Sequence, residues 1–277
     1  MVYLALSPKT RDPVQIARGN EVQVAGKVCV ITGAAAGIGH ALAERFVAEG
    51  ASAVVAADIS PALADASAAI GAQAIAVDVA SEDSIKALID ETEERFGPID
   101  LFVANAGIGG FPGGVEVPDE EWQRIWEVNV MHHIWAARHM IPRWQARGGG
   151  YLLTTASAAG LLSNLGTAPY TVTKHADVGL AEWLSITHAD DNIKVSVLCP
   201  QGVRTAMTES DDPAVANVVA HGLIEPSDVA DSVIAGLEAE SFHILPHPQV
   251  AEYVAHKGAD IESWLGAMRK LQRKFFR

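Results

Sequence analysis

The stretch from Lys27 to Asp58 constrains the fold of this chain more than any other. The run VCVIT predicts a buried strand, GAAAGIG a glycine turn, and HALAERFVAEG a helix that ends at Gly50. A second apolar run, SAVVAA, follows and ends at Asp58. A strand, a glycine turn, a helix and a second strand in this order are typical of the opening unit of a dinucleotide-binding domain.

The spacing of the glycines and of the acid indicates the same function. Gly33, Gly37 and Gly39 let the chain turn tightly and bring backbone amides and a helix N-terminus close to a pyrophosphate. Asp58 follows Gly39 by 19 residues, the position expected of an acid that binds the adenosine ribose hydroxyls. The alternative is that Asp58 is only a turn residue at a strand end.

The charge of Asp58 also bears on the choice of cofactor. A carboxylate accepts a hydrogen bond from a ribose 2′-hydroxyl but repels a 2′-phosphate. The adjacent positions Ala36 and Ile59 supply no cation to offset that repulsion. The sequence therefore favours NAD over NADP.

A tyrosine and a lysine mark the second candidate site. Tyr170 and Lys174 lie four residues apart, so on a helix both side chains leave the same face. A nearby ammonium favours the phenolate form of tyrosine, and the pair is suited to proton transfer near neutral pH. Ser157, at the end of the apolar run LLTTA, could offer a hydroxyl to the same substrate oxygen. The alternative for Y-x-x-x-K alone is the solvated face of an amphipathic helix.

Length and composition favour one α/β domain. The chain has 277 residues, 49% of them hydrophobic, and apolar runs alternate with helical patterns throughout. We expect a Rossmann-type doubly wound parallel sheet with helices on both faces. We assign residues 1–24 to an N-terminal extension, 25–248 to the dinucleotide-binding catalytic domain, and 249–277 to a helical C-terminal tail of the same domain.

Several element boundaries follow from the pattern. We predict a third strand that ends near Asp78 and Val79, and a helix with Ser81 as its N-cap. Residues 118–144 read as one long helix with Asn129 in its middle, where a polar residue needs a backbone hydrogen bond or a water to hold. Residues 206–225 read as irregular, and Ser227 reads as the cap of the next helix.

Charge and composition exclude several classes of function. The formal net charge of −14 argues against nucleic acid as a partner, since phosphate binding needs a basic face. No segment reaches the roughly 20 apolar residues of a membrane span, so we expect a soluble cytoplasmic protein. Cys29 and Cys199 fall in predicted buried strands and suit packing. The ten histidines show no metal-ligand spacing, so we expect no metal.

In combination these features resemble the short-chain dehydrogenase/reductase family over about residues 25 to 245. The features that carry the resemblance are Thr32 with the glycine loop, Asp58, Asp78-Val79, Asn105-Ala106-Gly107, Asn129, Ser157, Tyr170 with Lys174, and the turn from Pro200 to Thr205.

The resemblance implies a role for each polar residue of the second site. Tyr170 would be the acid/base, and Ser157 would hold the substrate oxygen. Lys174 would lower the pKa of the tyrosine and bind the nicotinamide ribose. Asn129 would position a water that relays protons to Lys174.

The resemblance also implies where the cofactor binds. The usual Pro-Gly after the sixth strand reads Pro200-Gln201-Gly202 here, which leaves Val203 and Thr205 as contacts for the nicotinamide carboxamide. The full set of cofactor contacts would be Gly33, Ala36, Gly37, Ile38, Gly39, Asp58, Ile59, Asp78, Val79, Asn105, Ala106, Gly107, Tyr170, Lys174, Pro200, Gly202, Val203 and Thr205.

The loops over this site predict the kind of substrate. They are largely apolar, and Arg204 is the only Lys or Arg among them. We therefore expect a neutral, largely apolar secondary alcohol or ketone. The side chains proposed to line its pocket are Ile108, Phe111, Leu161, Leu162 and Met207. We expect the tail from Gln249 to pack across these loops, or across those of a partner subunit, and to help close the pocket.

Two other functions are compatible with such a fold. An epimerase or dehydratase of nucleotide sugars would need a larger C-terminal domain than this ending provides. A non-catalytic dinucleotide-binding protein should have lost Ser157, Tyr170 or Lys174, and all three are present. The helices of residues 118–144 and 167–189 would pair two subunits in a homodimer or homotetramer, as in the family.

Overall fold

The computed structural model describes residues 23–109, 112–209 and 222–276. Its strands are β1 (Val28–Thr32), β2 (Ala53–Asp58), β3 (Gln73–Ala76), β4 (Leu101–Ala104), β5 (Gly150–Thr155), β6 (Ile193–Leu198) and β7 (His243–Ile244). They form one sheet in the order β3-β2-β1-β4-β5-β6-β7, in which all neighbouring pairs are parallel. The strand order reverses between β1 and β4, as the predicted doubly wound fold requires.

Helices connect the strands and cover both faces of the sheet. They are α1 (Gly37–Ala48), α2 (Leu63–Ile70), α3 (Glu82–Phe96), α4 (Asp119–Trp126), α5 (His132–Arg147), α6 (Ala158–Leu161), α7 (Ala168–Thr187), α8 (Pro226–Glu238), α9 (Gln249–Ala259) and α10 (Ile261–Phe276). The predicted α/β architecture with helices on both faces is confirmed.

The core consists of two apolar layers, one on each face of the sheet. Along β1, Val28 and Val30 face one layer while Cys29 and Ile31 face the other, which is the two-residue alternation of a strand. Helices α3, α5 and α7 cover the first layer, and α1 and α8 cover the second. Both cysteines are buried and free, as predicted, and burial raises the pKa of each thiol to about 12.

The helix predicted for residues 118–144 is continuous but not uniform. Between α4 and α5 the chain forms one π-helical turn, Glu127–Met131, with Asn129 fully buried inside it. A π turn inserts one extra residue into a helix and is common at functional sites. The prediction of a regular helix around Asn129 was therefore wrong in this turn.

Several predicted boundaries also differ from the structure. Strand β3 ends at Ala76, so Asp78 and Val79 lie in the turn before α3. Strand β5 ends at Thr155, so Ser157 lies beyond it and begins the short helix α6. Helix α8 begins at Pro226 rather than behind a Ser227 cap.

The cap of α8 lies two residues before the predicted one. Glu225 and Asp228 cap the helix reciprocally through side chain and backbone, and the proline fits the first helical position. The predicted cap of α3 is confirmed, because the Ser81 hydroxyl accepts a hydrogen bond from the Ser84 amide.

Parts of two segments predicted from the sequence lie outside the described residues. Residues 1–22 of the proposed extension, and residues 210–221 of the segment read as irregular, lie outside the described residues. Val24 is buried in the second apolar layer, so the core already includes the last residue of that extension. The tail forms two helices, α9 and α10, that meet at Asp260.

The described residues contain neither a candidate membrane span nor a candidate metal site. No helix among them has both the length and the apolar character needed to cross a membrane. Nowhere in residues 23–109, 112–209 and 222–276 do three His, Cys, Asp or Glu side chains group closely enough to hold a metal ion.

The contact between α6 and α7 depends on a glycine and can be tested by substitution. A Cβ atom at Gly160 would lie 2.2 Å from the backbone carbonyl oxygen of Lys174. We expect Gly160→Ala to lower the free energy of unfolding by about 1–3 kcal/mol, the usual cost of overpacking. Urea unfolding measures it.

Gly258 provides the matched control, since it also lies inside a helix but a Cβ atom there would meet no described atom within 4 Å. Gly258→Ala should leave stability unchanged or raise it by up to about 1 kcal/mol. Equal losses for the two variants would contradict the proposed close contact.

Candidate active site

Three loops meet closely at the carboxyl edge of the sheet, and glycines allow it. A Cβ at Gly39 would lie 2.2 Å from the Gly33 carbonyl oxygen, and one at Gly33 would lie 2.8 Å from the Cα atom of Ala106. A Cβ at Gly37 would lie 3.1 Å from Cγ2 of Thr205. The loops after β1, β4 and β6 therefore lie together, as predicted for a site at the topological switch point.

The glycine loop has the properties of a phosphate cradle. Gly33 and Gly37 have φ angles of +68° and +57°, a conformation that favours glycine. Helix α1 begins at Gly37, and its N-cap residue Ala36 makes no side-chain hydrogen bond to the first turn. The amides of that turn are thus left for an external anion, and Ile38 lies within it, so these residues fit the pyrophosphate of a dinucleotide.

Asp58 lies at the end of β2, beside the glycine loop. Its carboxylate accepts hydrogen bonds from the Ala35 amide at 3.0 Å and the Ser60 amide at 2.9 Å. The bond from Ser60 is the one expected of a turn residue at a strand end. The bond from Ala35 fixes the carboxylate against the glycine loop. Ile59 is exposed and brings no charge.

Asn105 and Asp78, which follow β4 and β3, use their polar side chains to bind backbone groups. Asn105 donates from Nδ2 to the Thr32 carbonyl at 2.9 Å and accepts at Oδ1 from the Thr155 hydroxyl at 3.1 Å. It therefore joins the ends of β1, β4 and β5. Asp78 accepts from the Ala80 amide at 3.0 Å and so stabilises the turn before α3, and adjacent Val79 is partly buried.

Lys174 is buried at the centre of the second predicted site. Its Nζ donates to the Thr155 carbonyl at 2.9 Å and to Oδ2 of Asp177 at 3.0 Å. It lies 5.8 Å from the centre of the Tyr170 ring, and a Cβ at Gly107 would be 3.6 Å from it. Burial acts to lower the pKa of Lys174, but Asp177 and Tyr170 outweigh it, so the pKa is raised and the ammonium stays charged.

Ser157 and Asn129 lie around this lysine. The Ser157 hydroxyl accepts from the Ala159 amide at 3.1 Å and makes only a long contact, 3.4 Å, with the Pro200 carbonyl. Its proton is thus easily redirected to another acceptor. The Asn129 amide is paired with both backbone groups of Ile108, at 2.9 and 3.0 Å, which is the backbone hydrogen bonding expected of a polar residue there.

The turn after β6 presents mainly backbone to the site. Val203 is buried in the core, so only its backbone is available to a cofactor. Thr205 lies against Gly37, and its side chain caps the short turn Ala206–Thr208. Pro200 accepts hydrogen bonds at its carbonyl from the segment that begins α6, and Gly202 is buried beside it.

A histidine that the sequence analysis passed over holds this turn in place. The buried His247 accepts from the Gln201 amide at Nδ1, at 3.1 Å, and its Nε2 lies 3.1 Å from the Gly202 carbonyl oxygen. This pairing requires the neutral ring with its proton on Nε2. Gln249 also donates to the Gln201 side chain at 3.1 Å. No spacing in the sequence signals these contacts.

The proposed substrate residues fall into two groups. Ile108 and Met207 lie near Gly109, where a Cβ would be 3.4 Å from the Met207 side chain, and Met207 is 47% exposed. Leu161 is partly buried and Leu162 is buried at the end of α6. Phe111 lies outside the described residues.

The tail reaches this part of the site. Lys257 of α9 donates to the carbonyls of Leu161 and Leu162 at 2.7 and 3.0 Å. Burial lowers the pKa of Lys257. The expectation that the tail packs across these loops is thus met at one of them.

Comparison with known proteins identifies the family. The model of the family described as short chain dehydrogenase matches residues 27–216. The chain belongs to this family. A 1-deoxy-11-beta-hydroxypentalenate dehydrogenase of Streptomyces exfoliatus is 34% identical over 226 residues, which cover 79% of this chain and 82% of that protein. A 3beta-hydroxysteroid dehydrogenase 2 of Eggerthella lenta is 35% identical over 197 residues, covering 68% of this chain and 75% of that protein.

A solved structure extends the comparison. A short chain dehydrogenase/reductase from Burkholderia phymatum, in complex with NAD, matches with a TM-score of 0.79 and 30% identity, covering 87% of this chain and 95% of that one. As a short chain dehydrogenase, the protein is an oxidoreductase that binds a nicotinamide dinucleotide. The predicted family is therefore confirmed.

The role of His247 can be measured as stability. His247→Phe keeps a ring but leaves the Gln201 amide and the Gly202 carbonyl without partners, so we expect a loss of about 1–3 kcal/mol in the free energy of unfolding at neutral pH. Burial lowers the pKa of His247, so the unfolded chain gains a proton first, below about pH 6.5. The stabilisation by His247 should be complete above that pH and shrink as pH falls.

His243→Phe is the control, because His243 is exposed on the edge strand β7. His243→Phe should lower the free energy of unfolding much less than His247→Phe does. A stability difference between wild type and His247→Phe that does not shrink in acid would contradict the neutral-ring assignment.

Proposed function

We propose that this protein is an NAD-dependent dehydrogenase that transfers a hydride between the nicotinamide and a neutral, largely apolar secondary alcohol or ketone. The observation that carries the proposal is the buried, charged Lys174 beside Tyr170, at the edge of the sheet where the glycine loop lies. The Tyr170 hydroxyl makes no hydrogen bond to any described residue, so it is available to a substrate.

The cofactor would be held along the carboxyl edge. Gly33, Ala36, Gly37, Ile38 and Gly39 would bind the pyrophosphate through their amides. Asp58 and Ile59 would meet the adenosine ribose, Asp78 and Val79 the adenine, and 105–107 the middle of the dinucleotide. The turn from Pro200 to Thr205 would bind the carboxamide, with Val203 acting through its backbone. When bound, the nicotinamide accepts or donates the hydride.

The proton is handled by the side chains of the chain itself. In oxidation, Tyr170 as phenolate takes the proton of the substrate hydroxyl, and in reduction it returns that proton to the oxygen. The Lys174 ammonium would stabilise the phenolate, and its remaining N–H would be available to bind the nicotinamide ribose. Ser157 turns its hydroxyl proton from Pro200 to the substrate oxygen. Asn129 fixes the backbone at Ile108 through both ends of its amide.

The charges near the predicted substrate loops favour a neutral substrate. The Arg204 guanidinium donates to the Glu225 carboxylate at 2.7 Å, so its charge is already balanced. The Lys257 ammonium is engaged with two backbone carbonyls. Ile108, Leu161 and Met207 offer apolar surface instead, and one relative is named as a dehydrogenase of a hydroxysteroid.

We also propose a homodimer or homotetramer built on α7 and the α4–α5 segment. Val172, Trp183 and Ile186 lie exposed on one side of α7, at 45%, 58% and 74% of their surface. Large exposed apolar side chains in a group are typical of an interface. Two free, buried cysteines suit a reducing compartment, and we assign the protein to the cytoplasm.

Tyr170→Phe tests the catalytic assignment. The variant keeps the ring but removes the proton-transferring hydroxyl, so we expect kcat to fall by about 10²–10⁴-fold while NADH binding is nearly unchanged. A panel of secondary alcohols with NAD, followed by NADH absorbance, gives the substrate for the assay. Retention of more than about a tenth of wild-type turnover, well above that range, would exclude Tyr170 as the acid/base.

The choice of cofactor should depend on Asp58. Replacing Asp58 by Ser and Ile59 by Arg removes the carboxylate and supplies a cation, so the ratio of kcat/KM for NADP to that for NAD should rise at least about tenfold, or about 1.4 kcal/mol. Asp78→Ser is the control, because the adenine is common to both cofactors and the ratio should not change. Wild-type protein that uses NADP as well as NAD would contradict the argument.

A further inference from the structure

A buried acid lies directly behind the proposed catalytic lysine. Asp177 follows Lys174 by three residues on α7, so both side chains leave the same side of the helix. Its Oδ2 accepts from the Lys174 ammonium at 3.0 Å, and both side chains are buried. The mechanism proposed above does not use this carboxylate.

His133 completes the buried cluster from a second helix. It stands at the start of α5, directly after the π turn, and its Nδ1 lies 3.0 Å from Oδ1 of Asp177. The contact is short but poorly aligned for a hydrogen bond, and neither nitrogen of His133 has another well-aligned partner among the described residues. Since a buried carboxylate is costly unless it is compensated, Lys174 and His133 are the groups that compensate Asp177.

Two of the groups that neighbour the Lys174–Asp177 pair are neutral. Burial, with the nearby His133 and Lys174, lowers the pKa of His132 well below its usual range, so its ring is neutral. Burial raises the pKa of Cys199 to about 12, so its thiol is neutral as well. Tyr170 is the remaining titratable group that bears on Lys174. The Lys174 ammonium and the Asp177 carboxylate lie as a pair of opposite charges beside the tyrosine.

This pairing has two electrostatic effects. The carboxylate favours the charged form of the lysine, and it also weakens the positive field that the lysine exerts on the phenol of Tyr170. Removing a negative charge makes every nearby group lose its proton more readily. Because Tyr170 and Lys174 interact, their two protonation steps belong to the pair and should move together.

We propose that Asp177, held in place by His133, is a positioning residue that sets the pH range in which Tyr170 and Lys174 work. The inference rests on the proposed function of that pair. It assigns to Asp177 no contact with substrate or cofactor. Its effect is electrostatic and is transmitted through the lysine.

The pH dependence of kcat tests this inference. Asp177→Asn keeps the shape and an oxygen acceptor for Lys174 but removes the charge. Both limbs of the profile should move to lower pH, by about one pH unit, a shift typical of a charge at hydrogen-bond distance. A purely structural role would lower kcat at every pH and leave the limbs in place, and that result would overturn the proposal.

Two further variants distinguish the local charge of Asp177 from the shape of its side chain and from the net charge of the protein. Asp177→Ser removes the same charge from a smaller side chain, and it serves if the asparagine variant does not fold. Glu182→Gln removes one negative charge from an exposed position on the same helix and should not shift the limbs. A shift of equal size in Glu182→Gln would show a general effect of net charge and would overturn the role of Asp177.

A measurement without turnover separates this inference from the proposed function. The ultraviolet absorbance of tyrosinate is titrated in each protein and in the same protein carrying Tyr170→Phe, and the difference reports Tyr170 alone. Its midpoint should be lower with Asp177→Asn than with the wild-type aspartate. An unchanged midpoint refutes the inference even if Tyr170 is catalytic, whereas a shifted midpoint supports it even if the tested alcohols are not substrates.

Discussion

The proposed site depends on the two hydrogen bonds that the buried Lys174 ammonium donates. It joins the carbonyl at the end of β5 to a carboxylate one turn further along α7, and so fixes the helix that carries Tyr170 against the sheet. A buried cation needs such partners, because an unpaired charge in the interior would lose its proton. The same two bonds that make the lysine tolerable in the core also hold it where the proposed chemistry needs a positive charge.

Close contacts between backbone segments also hold the proposed site together. Gly39 lies against the Gly33 carbonyl, and Gly160 lies against the Lys174 carbonyl, each at a distance that leaves no room for a side chain. The first contact closes the glycine loop, and the second presses α6, with Ser157 at its start, onto α7. The short helix that begins at Ser157 is therefore held against the helix that carries Tyr170 and Lys174 by packing of backbone on backbone.

The sequence predicted those parts of the molecule that depend on local pattern. The apolar runs indicated the sheet, and the glycine spacing with Asp58 indicated the nucleotide end, because each reflects a constraint within one strand–turn–helix unit. Contacts between distant segments were not predictable in this way. The π turn contains Asn129, whose amide pairs with the backbone of Ile108, 21 residues away in sequence, and no local pattern reports that pairing.

The missed residues differ in how they could have been found. Asp177 lies three residues after Lys174 on a predicted helix, so the same-face rule applied to Tyr170 would have placed it beside the lysine. His133 lies on a different helix from Asp177, so its pairing with that acid depends on how the two helices pack. His247 gives no local signal either, since its partners are backbone groups of a turn that is remote in sequence.

Residues near the C-terminus contact two of the segments that form the proposed site. His247 and Gln249 hold the turn after β6, and Lys257 holds the end of α6, and all three lie beyond residue 216, where the family match ends. The glycine loop and the Tyr170–Lys174 pair lie within the matched part. The turn after β6 and the end of α6 are thus held by residues outside the matched part. Both contacts therefore support parts of the proposed site, since the turn after β6 is the proposed carboxamide contact and Ser157 stands at the start of α6.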